Sequence, residues 1–121
     1  MDKQRLGRRG EQEAARLLRG SGYRILARNF RTRLGEIDLV AREGDTLCFV
    51  EVRARSDSDF GWPEETVDYW KQRRLIRLAQ GYLKAHRLGE APIRFDVVSV
   101  LVSPDGSALR TRLIKSAFEA S

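Results

Sequence analysis

Gly35-Glu36-Ile37-Asp38-Leu39-Val40 and Leu47-Cys48-Phe49-Val50-Glu51-Val52-Arg53 decide the fold: two runs rich in Ile, Val, Leu and Phe flank Glu43-Gly44-Asp45-Thr46, a turn signal. The pattern predicts a β-hairpin. With Gly44-Asp45 as a two-residue loop, Glu43 pairs with Thr46, and the same register sets Asp38 directly opposite Glu51. Facing side chains on an antiparallel pair have Cβ atoms about 4.5–5.5 Å apart, where two like charges destabilise the hairpin. The period of two brings Glu36 and Arg53 to the same face, opposite one another. Two readings of this polar patch stand side by side. It is a divalent-cation site, since Mg2+ takes carboxylate oxygens and waters, or an exposed salt-bridge cluster in which Arg53 bridges the acids.

The surrounding chain narrows the setting. At 121 residues, 41% hydrophobic and 33% charged, it has room for a single core, so one domain over residues 1–121 is expected. No apolar run approaches the ~20 residues that cross a bilayer, and Met1-Asp2-Lys3-Gln4-Arg5 is no signal-peptide core; a cytoplasmic protein without a membrane partner is expected. Cys48, the single cysteine, excludes an internal disulfide and reads as a packed thiol rather than a nucleophile. His86 is the single histidine, so His-based triads and zinc sites are excluded.

The net charge of +6 is unevenly spread. Residues 1–35 carry ten Lys/Arg against three Asp/Glu, whereas the other 86 carry thirteen against fourteen. A one-sided basic segment beside an acidic patch suits a polyanion, and nucleic acid is the first candidate partner; general solubility is the competing reading.

In chain order, residues 4–20 read as a helix with Ala14, Ala15, Leu17 and Leu18 as its apolar stripe and Gly20 and Gly22 ending it. Glu11 falls on that stripe by position, either as a rim residue favoured by the helix dipole or as a functional acid. Residues 23–30 read as a strand, and residues 31–35 as a basic turn into the hairpin. Residues 54–63 read as a loop that leaves the strand end carrying Glu51 and Arg53, with Trp62 either a base-stacking platform or an anchor for the next helix. A long helix is expected from Glu64 to His86, with Leu75, Leu78, Ala79, Tyr82 and Leu83 at helical spacing. Lys71 shares that stripe, either snorkelling to the edge or pointing toward the acidic patch. Residues 94–102 read as a buried strand, and Leu109 to Ile114 as an edge strand. A right-handed crossover should make the fourth strand parallel to the third, with one helix on each face of a mixed sheet.

From Gly7 to Phe118 the chain resembles the YraN family (uncharacterised protein family 0102), which is similar to archaeal Holliday-junction resolvases of the PD-(D/E)xK, restriction-endonuclease-like superfamily. The residues that carry the resemblance are Gly10-Glu11 with Ala14-Ala15, Gly22-Tyr23, Asn29-Phe30-Arg31, GEIDLV (35–40), FVEVR (49–53), Phe60-Gly61 with Pro63, Lys71-Gln72, Arg94-Phe95-Asp96-Val97-Val98 and Ala117-Phe118. It implies an α/β fold with an αβββαβ core, its mixed β-sheet flanked by helices. It also implies Glu11, Asp38 and Glu51 as ligands of Mg2+ or Mn2+, with Arg53 at the superfamily's lysine position. Arginine stays protonated, so Arg53 can orient water or stabilise a phosphate but not act as a base; Lys71 is the substitute. Arg8, Arg9, Arg28, Arg31, Arg33 and Arg55 are the candidate nucleic-acid contacts. Two functions are expected in competition: a Mg2+- or Mn2+-dependent endonuclease acting on branched or damaged DNA, in preference to RNA, or a catalytically inactive nuclease-fold DNA-binding module. Pairing of two subunits, as in resolvases, is a further implication.

Overall fold

The computed structural model describes residues 2–56, 66–107 and 109–120. Helix α1 (Lys3–Gly20) starts at Asp2, whose carboxylate accepts the Arg5 N–H at 2.8 Å, a cap of the kind worth about 1 kcal/mol. Gly22, at φ 91°, turns the chain so that the Tyr23 N–H closes on Leu18 O at 2.9 Å. Strands β1 (Arg24–Thr32), β2 (Gly35–Glu43) and β3 (Thr46–Ser56) follow as antiparallel neighbours. Helix α2 (Tyr69–Ala85) then crosses to β4 (Ile93–Val102), parallel to β3, and β5 (Leu109–Phe118) closes the sheet as an antiparallel edge. The strands lie in sequence order.

One helix covers each face. Ala14, Ala15 and Leu18 of α1 pack with Leu39, Ala41, Cys48, Val50 and Val100, while Leu75, Leu78, Ala79 and Tyr82 of α2 pack with Ile37, Val40, Phe49 and Phe95. This is the expected restriction-endonuclease-like α/β arrangement. Cys48 is fully buried and its thiol is pushed up to about 11, chiefly by that burial, as a packed thiol should be.

Three local expectations change. The long helix begins at Tyr69 rather than Glu64, because Asp68 caps it by accepting the Lys71 N–H at 2.9 Å; residues 66–68 are not helical. Residues 54–56, expected to open the 54–63 loop, extend β3 instead, while the rest of that loop with Phe60-Gly61, Trp62 and Pro63, and Glu64 and Glu65 after it, lie outside the described residues. The acid on the buried face of α1 is Glu13, 6% exposed and flanked by Arg9 at 3.5 Å and Arg16 at 3.6 Å, whereas Glu11 is only half-buried. The buried face runs through Gly10, Glu13, Ala14, Ala15 and Leu18, with the half-buried Glu11 at its rim, one of the two positions expected for it.

The β2–β3 ladder keeps the expected register from Glu43 with Thr46 as far as Leu39 with Val50 and stops there. Asp38 therefore does not pair across a ladder with Glu51, nor Glu36 with Arg53. Asn29, on the neighbouring β1, sits in left-handed backbone at φ 53° between the pairs Arg28 with Leu39 and Phe30 with Ile37. The alternation of β2 breaks at the same level: Ile37 and Val40 face α2, whereas Leu39 and Ala41 face α1. In place of a ladder bond, the Val52 N–H donates to Asp38 Oδ2 at 2.8 Å.

A second aspartate does the same at another irregularity. Asp96, 1% exposed, sits at the bulge between Phe95 and Val97, where its Oδ1 accepts the Ser116 N–H at 3.0 Å. Its charge is met by Arg94, with Nε 2.9 Å from Oδ1 and Nη2 3.0 Å from Oδ2, and Tyr23 donates to Oδ2 at 3.0 Å. Removing Asp96 leaves Arg94 with Glu43, 2.8 Å away, but takes the acceptor from the Tyr23 hydroxyl and the Ser116 N–H and one carboxylate from the guanidinium. Asp96→Ala should lose about 3–5 kcal/mol in urea unfolding, and the double variant Arg94→Met/Asp96→Leu should recover much of it. A single-variant loss below about 1 kcal/mol would contradict this assignment.

Candidate active site

The fork where β2 parts from β3 holds the acids. Asp38, Glu51 and Glu11 line a cleft of about 320 Å3 with Lys3, Leu6, Gly7, Val52 and Ala54. Gly10 permits the close approach of α1 that forms one wall, since a Cβ there would lie 2.7 Å from the Cβ of Ala54 on β3.

Asp38 and Glu51 stand close enough to hydrogen-bond through a shared proton. Burial, then the hydrogen bond and repulsion from Glu51, push the Asp38 carboxyl up to about 8, against the lowering effect of the Val52 N–H. Glu11 adds to the repulsion. Lys71 of α2 brings its Nζ to 2.9 Å from Glu51 Oε2, so the lysine on the apolar stripe does point toward the acids. That oxygen is buried, and the approach is short but poorly aligned for a hydrogen bond; Oε2 has a counter-charge without a directed donor. Asp96 and Asp38 thus differ in kind: one is met on both oxygens by a guanidinium, whereas the other accepts a backbone N–H and faces a second carboxylate.

Glu11 faces two ways. Burial and Glu36 raise its carboxyl, while a hydrogen bond with Asn29 and the charges of Arg28 and Arg31 oppose them. It also lines a second cleft of about 840 Å3, whose walls carry Lys3, Arg8, Arg16, Arg19, Arg28 and Arg31. The acidic and basic clefts therefore share Glu11, Gly7 and Lys3 as a common border. Glu36 belongs to the basic cleft, with its Oε1 3.5 Å from Arg31 Nε.

Of the expected nucleic-acid contacts, Arg8, Arg28 and Arg31 line the basic cleft. Arg9 lies beside Glu13 in a groove with Arg5, Arg8 and Gln12. Arg33 is exposed in the β1–β2 turn, and Arg55 lies half-buried on β3; neither lines the two clefts. Arg53 is half-buried on β3, two residues beyond Glu51. Lys3, Arg16, Arg19 and Asn29 were not foreseen as site residues; an Asn, which tolerates left-handed backbone, inside a strand run is the signal that could have marked the last. Among the described residues, no group of three His, Cys, Asp or Glu side chains forms a ready-made metal cage.

Asp38 should leave a mark on stability. Its folded-state value lies above the ordinary one, so the fold holds this proton more tightly than the unfolded chain and loses stability as pH rises from about 4 toward about 8. Asp38→Asn keeps the acceptor for Val52 N–H. In chelator, its melting temperature should match wild type near pH 4 and exceed it increasingly toward about pH 9. A pH-independent difference would contradict the assignment.

The chain matches the family model described as Uncharacterised protein family UPF0102 over residues 10–100. It is 56% identical over 118 residues to a UPF0102 protein of Symbiobacterium thermophilum, covering 96% of this chain and 98% of that one. A UPF0102 protein of Lachnoclostridium phytofermentans is 50% identical over 121 residues (99% and 98% covered), and one of Caldicellulosiruptor saccharolyticus 43% identical over 118 residues (98% and 100%). Among the described residues no helix is long and apolar enough to cross a membrane.

Proposed function

Starting from the fact that the chain belongs to the uncharacterised protein family UPF0102, we propose that it binds nucleic acid and hydrolyses phosphodiesters in branched or damaged DNA with the help of Mg2+ or Mn2+. The observation that carries this reading is the Asp38–Glu51 pair, brought together at the strand fork where burial and mutual repulsion raise the Asp38 carboxyl, in a cleft bordering an arginine-lined one. The donor set suits a hard divalent cation: Asp38 and Glu51, with Glu11 as third candidate, offer only oxygens, and Mg2+ binds through one or two carboxylates together with substrate phosphate and waters. Such an ion would polarise the scissile phosphate and lower the pKa of a bound water.

The chain's own groups do the rest. Arg8, Arg28 and Arg31 hold the phosphate backbone along the basic cleft, leading the strand past Glu11 to the acid pair. Lys71, at 2.9 Å from Glu51, keeps a mobile positive charge beside the carboxylates and can meet the charge that develops on a phosphate. Arg53 stays protonated, so it orients and neutralises rather than abstracting a proton.

Incubating nicked, branched and single-stranded DNA with each metal tests the reading. Cleavage should appear with Mg2+ or Mn2+, vanish in Asp38→Ala and Glu51→Ala, and fall about 100-fold in Lys71→Ala. Binding should weaken linearly in log affinity against log salt, with a shallower slope in the Arg8→Ala/Arg31→Ala variant. Salt-dependent binding without any metal-dependent cleavage would instead establish the binding-module reading, which the arginine at the superfamily's lysine position favours.

A further inference from the structure

The first turns of α2 and the β1–β2 turn expose a patch that the acid site does not use. Trp70 is 76% exposed, Tyr69 62% and Leu34 48%, and these are the exposed large hydrophobic residues of the described chain. Tyr69 and Trp70 meet edge to face, with ring centroids 5.3 Å apart. Together with Arg73, Arg74 and Arg77 they line a cleft of about 460 Å3. Gly35, at φ 137°, lets the turn sit against Arg74, whose Cδ would lie 3.2 Å from a Cβ there. Among the described residues, no carboxylate lines this cleft.

We propose that Tyr69 and Trp70 form a stacking platform for an unpaired base, with Arg73, Arg74 and Arg77 holding the phosphates of the same strand. Exposed rings beside three arginines fit a single strand, because every base offers a π face and every linkage a negative charge. A second copy of this chain fits less well: a two-fold contact would set the three arginines of one subunit against those of its mate. Trp70 precedes Lys71, which touches Glu51, so one helix turn would hold an unpaired base and serve the acid cleft. This narrows the substrate class to nucleic acid with unpaired nucleotides beside the bond, and it rests on the nucleic-acid reading above.

Trp62→Phe leaves Trp70 as the single tryptophan and so gives a local reporter. Titration with an oligothymidylate should quench its fluorescence, and an uninterrupted duplex of equal length should quench it less. In the same background, anisotropy with labelled DNA should show Trp70→Ala weakening single-strand binding between about 5- and 100-fold, Trp70→Phe largely restoring it, and duplex affinity unchanged. Equal loss on both DNAs, or no loss on either, would overturn the platform while leaving nucleic-acid binding intact. A dimer in sedimentation velocity that Trp70→Ala converts to monomer would overturn it in favour of a subunit interface. Absence of binding to either DNA would remove the nucleic-acid reading itself, and the platform with it.

Discussion

The fork at Asp38 is the constraint on which the site depends. A regular hairpin would press Asp38 and Glu51 together across the ladder and spread their charges over one face. Instead the ladder ends at Leu39 with Val50, and Asp38 turns to accept the Val52 N–H at 2.8 Å. The backbone donor left by the fork is thereby satisfied, and an acid is anchored at the point where the strands open. Burial and Glu51 then hold its proton on to about pH 8, so the neutral form is what this cleft tolerates without an added cation.

The two helices bring different chemistry to that point. α1 docks closely because Gly10 has no side chain to meet Ala54, and it contributes Glu11 and one wall of the basic cleft. α2 reaches in from the other face of the sheet with Lys71, while the turn that starts it displays Tyr69 and Trp70 outward. Positive charge thus reaches Glu51 directly through Lys71, while arginines line the neighbouring basic cleft. Arg94 with Asp96 shows the contrast: there a guanidinium meets both carboxylate oxygens, and the pair ties β4 to Tyr23 and, through Ser116, to β5.

Much of this could be read from residues alone. Alternating and continuous apolar runs gave the strands, Gly44-Asp45 gave the register of the hairpin as far as Leu39, and the spacing from Leu75 to Tyr82 gave the buried face of α2. The position of Lys71 on that stripe left two readings, a lysine snorkelling to the edge or one aimed at the acids, and its Nζ lies 2.9 Å from Glu51 Oε2. Sequence periodicity failed where it assumes regularity. It carried the ladder through Asp38 to Glu36 and Arg53, but the left-handed Asn29 and the broken alternation of β2 end it earlier. It left Glu11 as a rim residue or a functional acid, and Glu11 lies at the rim and lines the acid cleft; it did not single out Glu13, the acid that is buried, with Arg9 and Arg16 beside it. It began α2 too early, since an acidic stretch after a proline resembles a first turn, whereas the cap is Asp68. Tyr69 and Trp70 lay inside the expected helix, and spacing alone gave no sign that both would face solvent.

The carboxylates at the fork serve the proposed chemistry only if they take up a cation. Calorimetric titration of Mn2+ into the wild-type protein and into Asp38→Asn, at a pH near 8 with no nucleic acid present, asks this of the protein alone. Saturable heat in the wild type that disappears in Asp38→Asn is the predicted result. Equal heats from the two proteins, or none from either, would contradict it.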